Sequence, residues 1–171
     1  MHLYWITGLP GAGKTSVGRA LYSLIRQQKA NVVFLDGDMV REIQGAPTDA
    51  YSPEQRLHLA LGYGRLCQAL TKQSIDVVFA TVSFFEEVWQ WNRENIPAYH
   101  ETYLKVDRET LFERDQKGLY SAATNGETSN VVGVDLILPE PSAPHLVLPN
   151  NGERSPEDVA ADIFDFFGAG K

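Results

Sequence analysis

The chain has 171 residues, of which 43% are hydrophobic and 22% charged; that size and balance fit one compact domain with a real core and leave no room for a large second one. Its formal net charge of -7 argues against a nucleic-acid or anionic-membrane partner, because binding a phosphate backbone needs a basic face that releases counterions. Cys67 is the single cysteine, so no intrachain disulfide can form, and Leu66 and Leu70 beside it point to a buried helix face rather than a reactive thiol. Neither a basic leader with an apolar stretch nor a membrane-spanning run is visible, which makes the cytoplasm the expected address.

Taken in chain order, Leu3–Thr7 is a short apolar run ending in a glycine-rich loop, and Thr15–Gln28 carries Val17, Leu21, Leu24 and Ile25 at helical spacing. Val32–Leu35 reads as a second strand, Pro53–Thr71 as a helix through Leu57, Leu61, Leu66 and Leu70, and Val77–Val82 as a buried strand. A helix around Glu86–Asn95, a strand at Tyr103–Val106, a helix at Glu109–Asp115 and a strand at Leu146–Leu148 follow. The last helix opens at Ser155, with proline at its first position and Asp158 placed to complete the cap. Strands alternating with helices predict an α/β fold, a parallel sheet with helices on both faces. Gln116–Pro144, rich in Gly, Pro, Ser, Thr and Asn, interrupts that alternation. An irregular stretch of that length in a compact domain reads as a lid or binding loop, with a passive surface excursion as the alternative.

Gly8-Leu9-Pro10-Gly11-Ala12-Gly13-Lys14-Thr15 matches G-x-x-x-x-G-K-[ST] between a strand and a helix. In that context glycines let successive N–H groups turn inward around phosphates, the helix N-terminus adds positive potential, Lys14 reaches the β- and γ-phosphates of ATP, and the Thr15 hydroxyl ligates Mg²⁺. Ser16 follows at the helix start. The loop does not reveal the acceptor, since GTPases, motors and small-molecule kinases share it.

A GTPase or motor is expected to place an aspartate at the end of an apolar strand, and Val77–Val82 ends without one. Asp36 and Asp38 instead follow Val32–Leu35; two residues apart, they project to one side of an extended segment, one toward metal and one toward an acceptor hydroxyl. Asp38 is thus the candidate general base, with a helix cap before Met39–Ile43 as its alternative role. Arg41 lies three residues on, within reach of the same face, and suits an anionic substrate.

These residues resemble the adenylyl-sulfate (APS) kinases, P-loop enzymes that phosphorylate the ribose 3′-hydroxyl of APS with ATP and Mg²⁺. Leu35-Asp36-Gly37-Asp38-Met39-Val40-Arg41 is similar to that family's L-D-G-D-N-V-R, and Tyr51-Ser52 with Arg56 to its F-S-x-x-D-R. Arg114-Asp115-Gln116-Lys117-Gly118-Leu119-Tyr120 resembles R-D-P-K-G-L-Y, Gly133-Val134-Asp135 falls where the family has G-I-D, and Leu148–Pro156 is like its last strand and final helix start. The resemblance implies one P-loop kinase domain over residues 1–171, a three-layer sandwich with a lid at about 115–144. It also implies that Asp38 activates the acceptor, that Arg41 and Arg56 meet its anionic part, and that Tyr51 stacks on its base. Arg114 would lie over ATP, and Ser83, Lys117, Gly118 and Leu119 would complete the substrate side with Asp36. Family members are commonly dimers, so a homodimer is the expectation carried over.

The departures fall on the acceptor side. Met39 replaces an asparagine, Leu59 and Leu61 stand for the asparagine and arginine of E-N-I-R, Glu87 for a serine of S-x-x-I-S-P-Y-R, and Val131 for the lid phenylalanine. Each lost charge-assisted hydrogen bond is worth about 1.5–3 kcal/mol and a lost stacking ring about 1–3 kcal/mol. The retained Tyr51, Arg41 and Arg56 still suit an anionic nucleotide, APS or cytidine 5′-diphosphoramidate; Arg65, Trp89 or Arg93 could also rebuild an APS site. A sugar-acid kinase and a catalytically idle ATP-binding regulator are the other classes the sequence leaves open. Trp89 and Trp91 read as packing or as pocket lining, and His2, His58, His100 and His145 as scattered, without metal-ligand spacing.

Overall fold

In the computed structural model, which describes residues 1–45, 52–128 and 131–168, strand and helix alternate along the chain. Strands β1 (Leu3–Thr7), β2 (Val32–Asp36), β3 (Asp76–Thr81), β4 (Tyr99–Lys105) and β5 (Leu146–Pro149) form one parallel sheet in the order β2-β3-β1-β4-β5. Helices α1 (Lys14–Gln28), α2 (Gly37–Ile43), α3 (Pro53–Lys72), α4 (Glu86–Asn95), α5 (Arg108–Arg114), α6 (Leu119–Thr124) and α7 (Pro156–Phe167) surround it. The two-residue period of a strand sorts the core into two layers. Tyr4, Ile6, Val78 and Leu104 meet Val17, Leu21 and Ile25 of α1 and Val159, Ala160 and Ile163 of α7. Leu3, Trp5, Val77 and Phe79 meet Ala60, Tyr63 and Cys67 of α3 and Val88 of α4. The result is the three-layer sandwich expected of a P-loop fold. No helix among the described residues is long and apolar enough to cross a membrane.

Most boundaries agree with expectation to within a residue, and two regions differ by more. β4 begins at Tyr99, four residues before the expected start at Tyr103, because His100 and Glu101 hide a strand that is otherwise buried. Glu101 is fully buried, and Arg93 on α4 donates to its Oε2 at 2.7 Å. Burial pushes the Glu101 carboxyl up to about 7 even though the Arg93 charge opposes that shift. In the stretch expected to be irregular, α6 forms because Asp115 Oδ1 accepts from the N–H groups of Tyr120 (2.9 Å) and Ser121 (3.1 Å). Lys117 and Gly118 between them take the left-handed backbone that lets the carboxylate fold back onto the helix start.

Several side chains that the sequence left ambiguous have structural places. Trp89 is fully buried against Phe84 and donates to the Ser83 carbonyl, so it packs rather than lining a pocket. Cys67 is buried in the α3–α4 layer. The histidines are not all scattered: His2 Nδ1 and His100 Nε2 lie 2.8 Å apart, and His145 Nδ1 accepts from the Glu101 N–H, at the sheet end opposite the phosphate loop. Their separation in sequence, 98 residues between His2 and His100, concealed the meeting.

α3 and α4 approach each other at Gly64, where a Cβ would stand 2.5 Å from Asn92 Oδ1 and 3.1 Å from the Trp91 ring. Gly64→Ala is therefore expected to lose about 1–3 kcal/mol of stability, a drop of roughly 2–12 °C in Tm. An unchanged thermal melt would mean that the two helices separate without cost.

Candidate active site

β1 delivers the chain into a loop that ends where α1 begins at Lys14. The turn closes with Ala12 N–H donating to the Leu9 carbonyl at 3.0 Å, and Gly11 and Gly13 take φ of 79° and 83°, backbone that glycine adopts without strain. A Cβ on Gly13 would also meet Asn150 Nδ2 at 2.6 Å. Lys14 Nζ donates to the Leu9 carbonyl at 2.7 Å, and burial pushes its ammonium down to about 8 although the nearby Asp36 charge works against that. The loop is held from outside as well. Tyr120 Oη donates to the Pro10 carbonyl (2.8 Å), Arg114 Nη1 to Gly11 (3.0 Å) and Asn150 Nδ2 to Ala12 (2.8 Å).

β2 ends beside this loop, and here the two aspartates part company. The expected extended segment does not occur, because the chain turns into α2 at Gly37, where a Cβ would lie 3.0 Å from Thr81 Oγ1. Asp36, not Asp38, caps that helix: its Oδ1 accepts from the Asp38 N–H at 2.9 Å, while its Oδ2 accepts from Thr15 Oγ1 at 2.6 Å. Asp38 lies in the first turn with its side chain 58% exposed, paired with Arg41 one turn on and with Lys117 Nζ at 3.1 Å. Lys117 comes from a position 79 residues away, so the fold brings together a carboxylate and two cations within reach of the Thr15–Asp36 pair.

The remaining candidates are placed less evenly. Ser83 is buried just after β3, its carbonyl accepting from Thr7 Oγ1 and Trp89 Nε1, and its own hydroxyl has no hydrogen-bond partner among the described residues. Arg56 sits partly buried in the first turn of α3, Gly118 N–H donates to the Asp115 carbonyl at 2.8 Å, and Leu119 opens α6. Tyr51 lies outside the described residues.

A phosphate loop, a lysine folded under it and a hydroxyl–carboxylate pair at its exit are shared by many kinases, so the family is decided by likeness over the whole chain. The model of the adenylylsulphate kinase family matches residues 2–149. The chain belongs to that family. It is a phosphotransferase. It is 40% identical over 157 residues to the cytidine diphosphoramidate kinase of Campylobacter jejuni subsp. jejuni serotype O:2, covering 92% of this chain and 91% of that protein. To the adenylyl-sulfate kinase of Bacillus pumilus it is 35% identical over 167 residues, 96% of this chain and 83% of that one. The solved APS kinase CysC of Mycobacterium tuberculosis, in complex with AMPPNP and APS, superposes with a TM-score of 0.87 over 98% of this chain and 97% of its own, at 24% identity, which shows the shared fold.

Of the five positions at which this member departs from the APS kinase pattern, three are apolar packing positions. Leu59 and Leu61 pack against the α3–α4 core layer, and Val131 is buried, its carbonyl accepting from the N–H groups of Val134 and Leu136. Met39 is half-exposed on α2 and Glu87 sits in the first turn of α4. The sequence places Gly11, Gly13, Ser16 and Arg114 at the ATP site but gives no role to Asn150 and Arg154. Gly11, Gly13, Ser16, Arg114, Asn150 and Arg154 line part of a cavity of about 280 Å³ on the outer side of the phosphate loop. Arg114 ties it together, since its Nη2 also donates to the Asn150 carbonyl at 2.9 Å. One signal pointed there: ligands of open α/β sheets bind beyond the carboxyl ends of strands, and Asn150-Asn151-Gly152 follows β5.

Proposed function

We propose that this phosphotransferase moves the γ-phosphoryl group of ATP to a ribose 3′-hydroxyl of a small anionic nucleotide, with cytidine 5′-diphosphoramidate as the acceptor. The observation that carries the reading is Asp38, an exposed carboxylate flanked by Arg41 and Lys117 and set two residues beyond Asp36 of the Asp36–Thr15 pair. A carboxylate so placed orients an acceptor hydroxyl and takes its proton as the oxygen attacks phosphorus, while the two cations draw in the acceptor's anionic group. Lys14 and the N–H groups at the start of α1 hold the β- and γ-phosphates, and the cavity beside Arg114 and Asn150 takes the base and ribose of ATP. The Thr15 hydroxyl and Asp36 carboxylate, 2.6 Å apart, are hard oxygen donors that fit Mg²⁺, an ion that binds few protein ligands and fills its shell with phosphates and water. When bound it neutralises charge on the transferring group. Residues 115–144 act as the lid, since Arg114 and Lys117 at its near end reach the phosphate loop and the acceptor carboxylate respectively.

The choice of acceptor is supported by the 40% identity to a cytidine diphosphoramidate kinase and by the apolar packing of Leu59, Leu61 and Val131, which leaves those positions without the polar and stacking contacts that the larger base of APS would use. An ADP-release assay with cytidine 5′-diphosphoramidate, APS, plain nucleotides and sugar acids tests it. Cytidine 5′-diphosphoramidate is expected to give a kcat/KM at least about tenfold above APS, the worth of one lost charge-assisted contact. A higher value for APS would overturn the acceptor assignment, and a sugar acid in first place would overturn the nucleotide class.

A further inference from the structure

The carbonyl side of the phosphate loop is pinned at the planes where it is weakest. In a trans peptide the C=O of one residue and the N–H of the next point in opposite directions. Fixing the Pro10 carbonyl outward therefore turns the Gly11 N–H inward, and fixing the Ala12 carbonyl does the same for Gly13. These two planes precede the glycines at φ 79° and 83°. A peptide plane leading into glycine flips easily, because no Cβ restricts the rotation. Tyr120 Oη donates to the Pro10 carbonyl at 2.8 Å and Asn150 Nδ2 to the Ala12 carbonyl at 2.8 Å, so each vulnerable plane has its own side-chain clamp.

Both clamps are rigidly mounted. Tyr120 is 1% exposed at the start of α6, its N–H held by Asp115, and Asn150 is 9% exposed at the end of β5 with its N–H bonded to the Lys105 carbonyl at 2.9 Å. They come from different elements, Tyr120 from the segment after α5 and Asn150 from the end of β5.

We propose that Tyr120 and Asn150 are positioning residues for the phosphoryl donor: from outside the loop they hold the Pro10 and Ala12 carbonyls so that the Gly11 and Gly13 N–H groups converge on the phosphates before the nucleotide arrives. Neither side chain needs to touch the phosphates for this. Loss of a clamp lets its plane flip, and the nucleotide must then reorder the loop as it binds. This rests on the reading that the loop binds ATP.

Tyr120→Phe removes one hydroxyl at constant shape, and Asn150→Leu replaces the amide by an apolar group of similar outline. With the full chain and Mg²⁺, calorimetry is expected to show the Kd for ADP raised about three- to tenfold in each, the loss of one ordinary hydrogen bond. The double variant should fall short of the product of the two, since both act on one loop. The KM for ATP should rise in parallel, while the KM for the acceptor selected above stays within about twofold. That split separates positioning from general loosening, which would raise both. An unchanged Kd, or both KM values rising together, would overturn the proposal. If the unsubstituted chain itself bound no ADP, the ATP reading would fall and this one with it; variants that match a binding parent sink the clamps alone.

Discussion

Asp38→Asn is expected to lower kcat by about a hundred- to ten-thousandfold, the span that general base catalysis contributes, while leaving the affinity for ATP nearly untouched. The substitution keeps the shape of the side chain and removes its charge and basicity. Nothing in the phosphate loop loses a partner, because Asp36 and not Asp38 meets Thr15 and caps α2. Stability should hardly move either: Asp38 is 58% exposed, and pairs such as those with Arg41 and Lys117 contribute about 0–1 kcal/mol at a surface. A fall in kcat with unchanged Tm and unchanged ADP binding would therefore report on the chemistry itself. Turnover within about threefold of the parent would remove Asp38 as the base. The same test at Asp36 would be ambiguous, since it ties β2, α2 and Thr15 together and its loss disturbs the fold and the donor site at once.

That division of labour between the aspartates is where the sequence was least informative. A two-residue spacing puts both side chains on one side only if the backbone stays extended, and Gly37 turns the chain into a helix between them. Nothing local in Leu35–Arg41 decides which happens; the contact of Gly37 with Thr81, 44 positions away, belongs to the tertiary structure. The Gly8–Thr15 loop was legible because its signal is backbone geometry written as glycine spacing. The sheet was legible wherever strands are uniformly apolar, as in Leu3–Thr7, and was shortened at Tyr99–Thr102, where a buried Glu101 depends on Arg93 from another element. The contacts of Tyr120 and Asn150 are invisible in the sequence for the same reason. Their partners are carbonyls 110 and 138 residues away, and a hydrogen bond to a main-chain oxygen leaves no trace in the identity of the residue that accepts it.

Lys14→Ala should abolish turnover with every acceptor, because it removes the only side-chain cation that the phosphate-loop motif itself supplies to the donor. The pH profile of the unsubstituted enzyme gives an independent view of that charge. Burial beneath the loop holds the Lys14 ammonium down at about 8, so in the nucleotide-free protein it is protonated below that pH and neutral above it. A triphosphate binds the charged form preferentially and raises the pKa in the complex. The kcat/KM for ATP is therefore expected to fall about tenfold per pH unit above 8, while kcat at saturating ATP holds to a higher pH. Lys14→Arg would keep a charge at every pH, so whatever activity survives should lose this alkaline limb, though the planar guanidinium is a poor substitute for a compact ammonium under the Leu9 carbonyl. A Lys14→Ala enzyme that still responded to an acceptor would break the assignment of this loop as the donor site, and an alkaline limb persisting in Lys14→Arg would mean that another group titrates there.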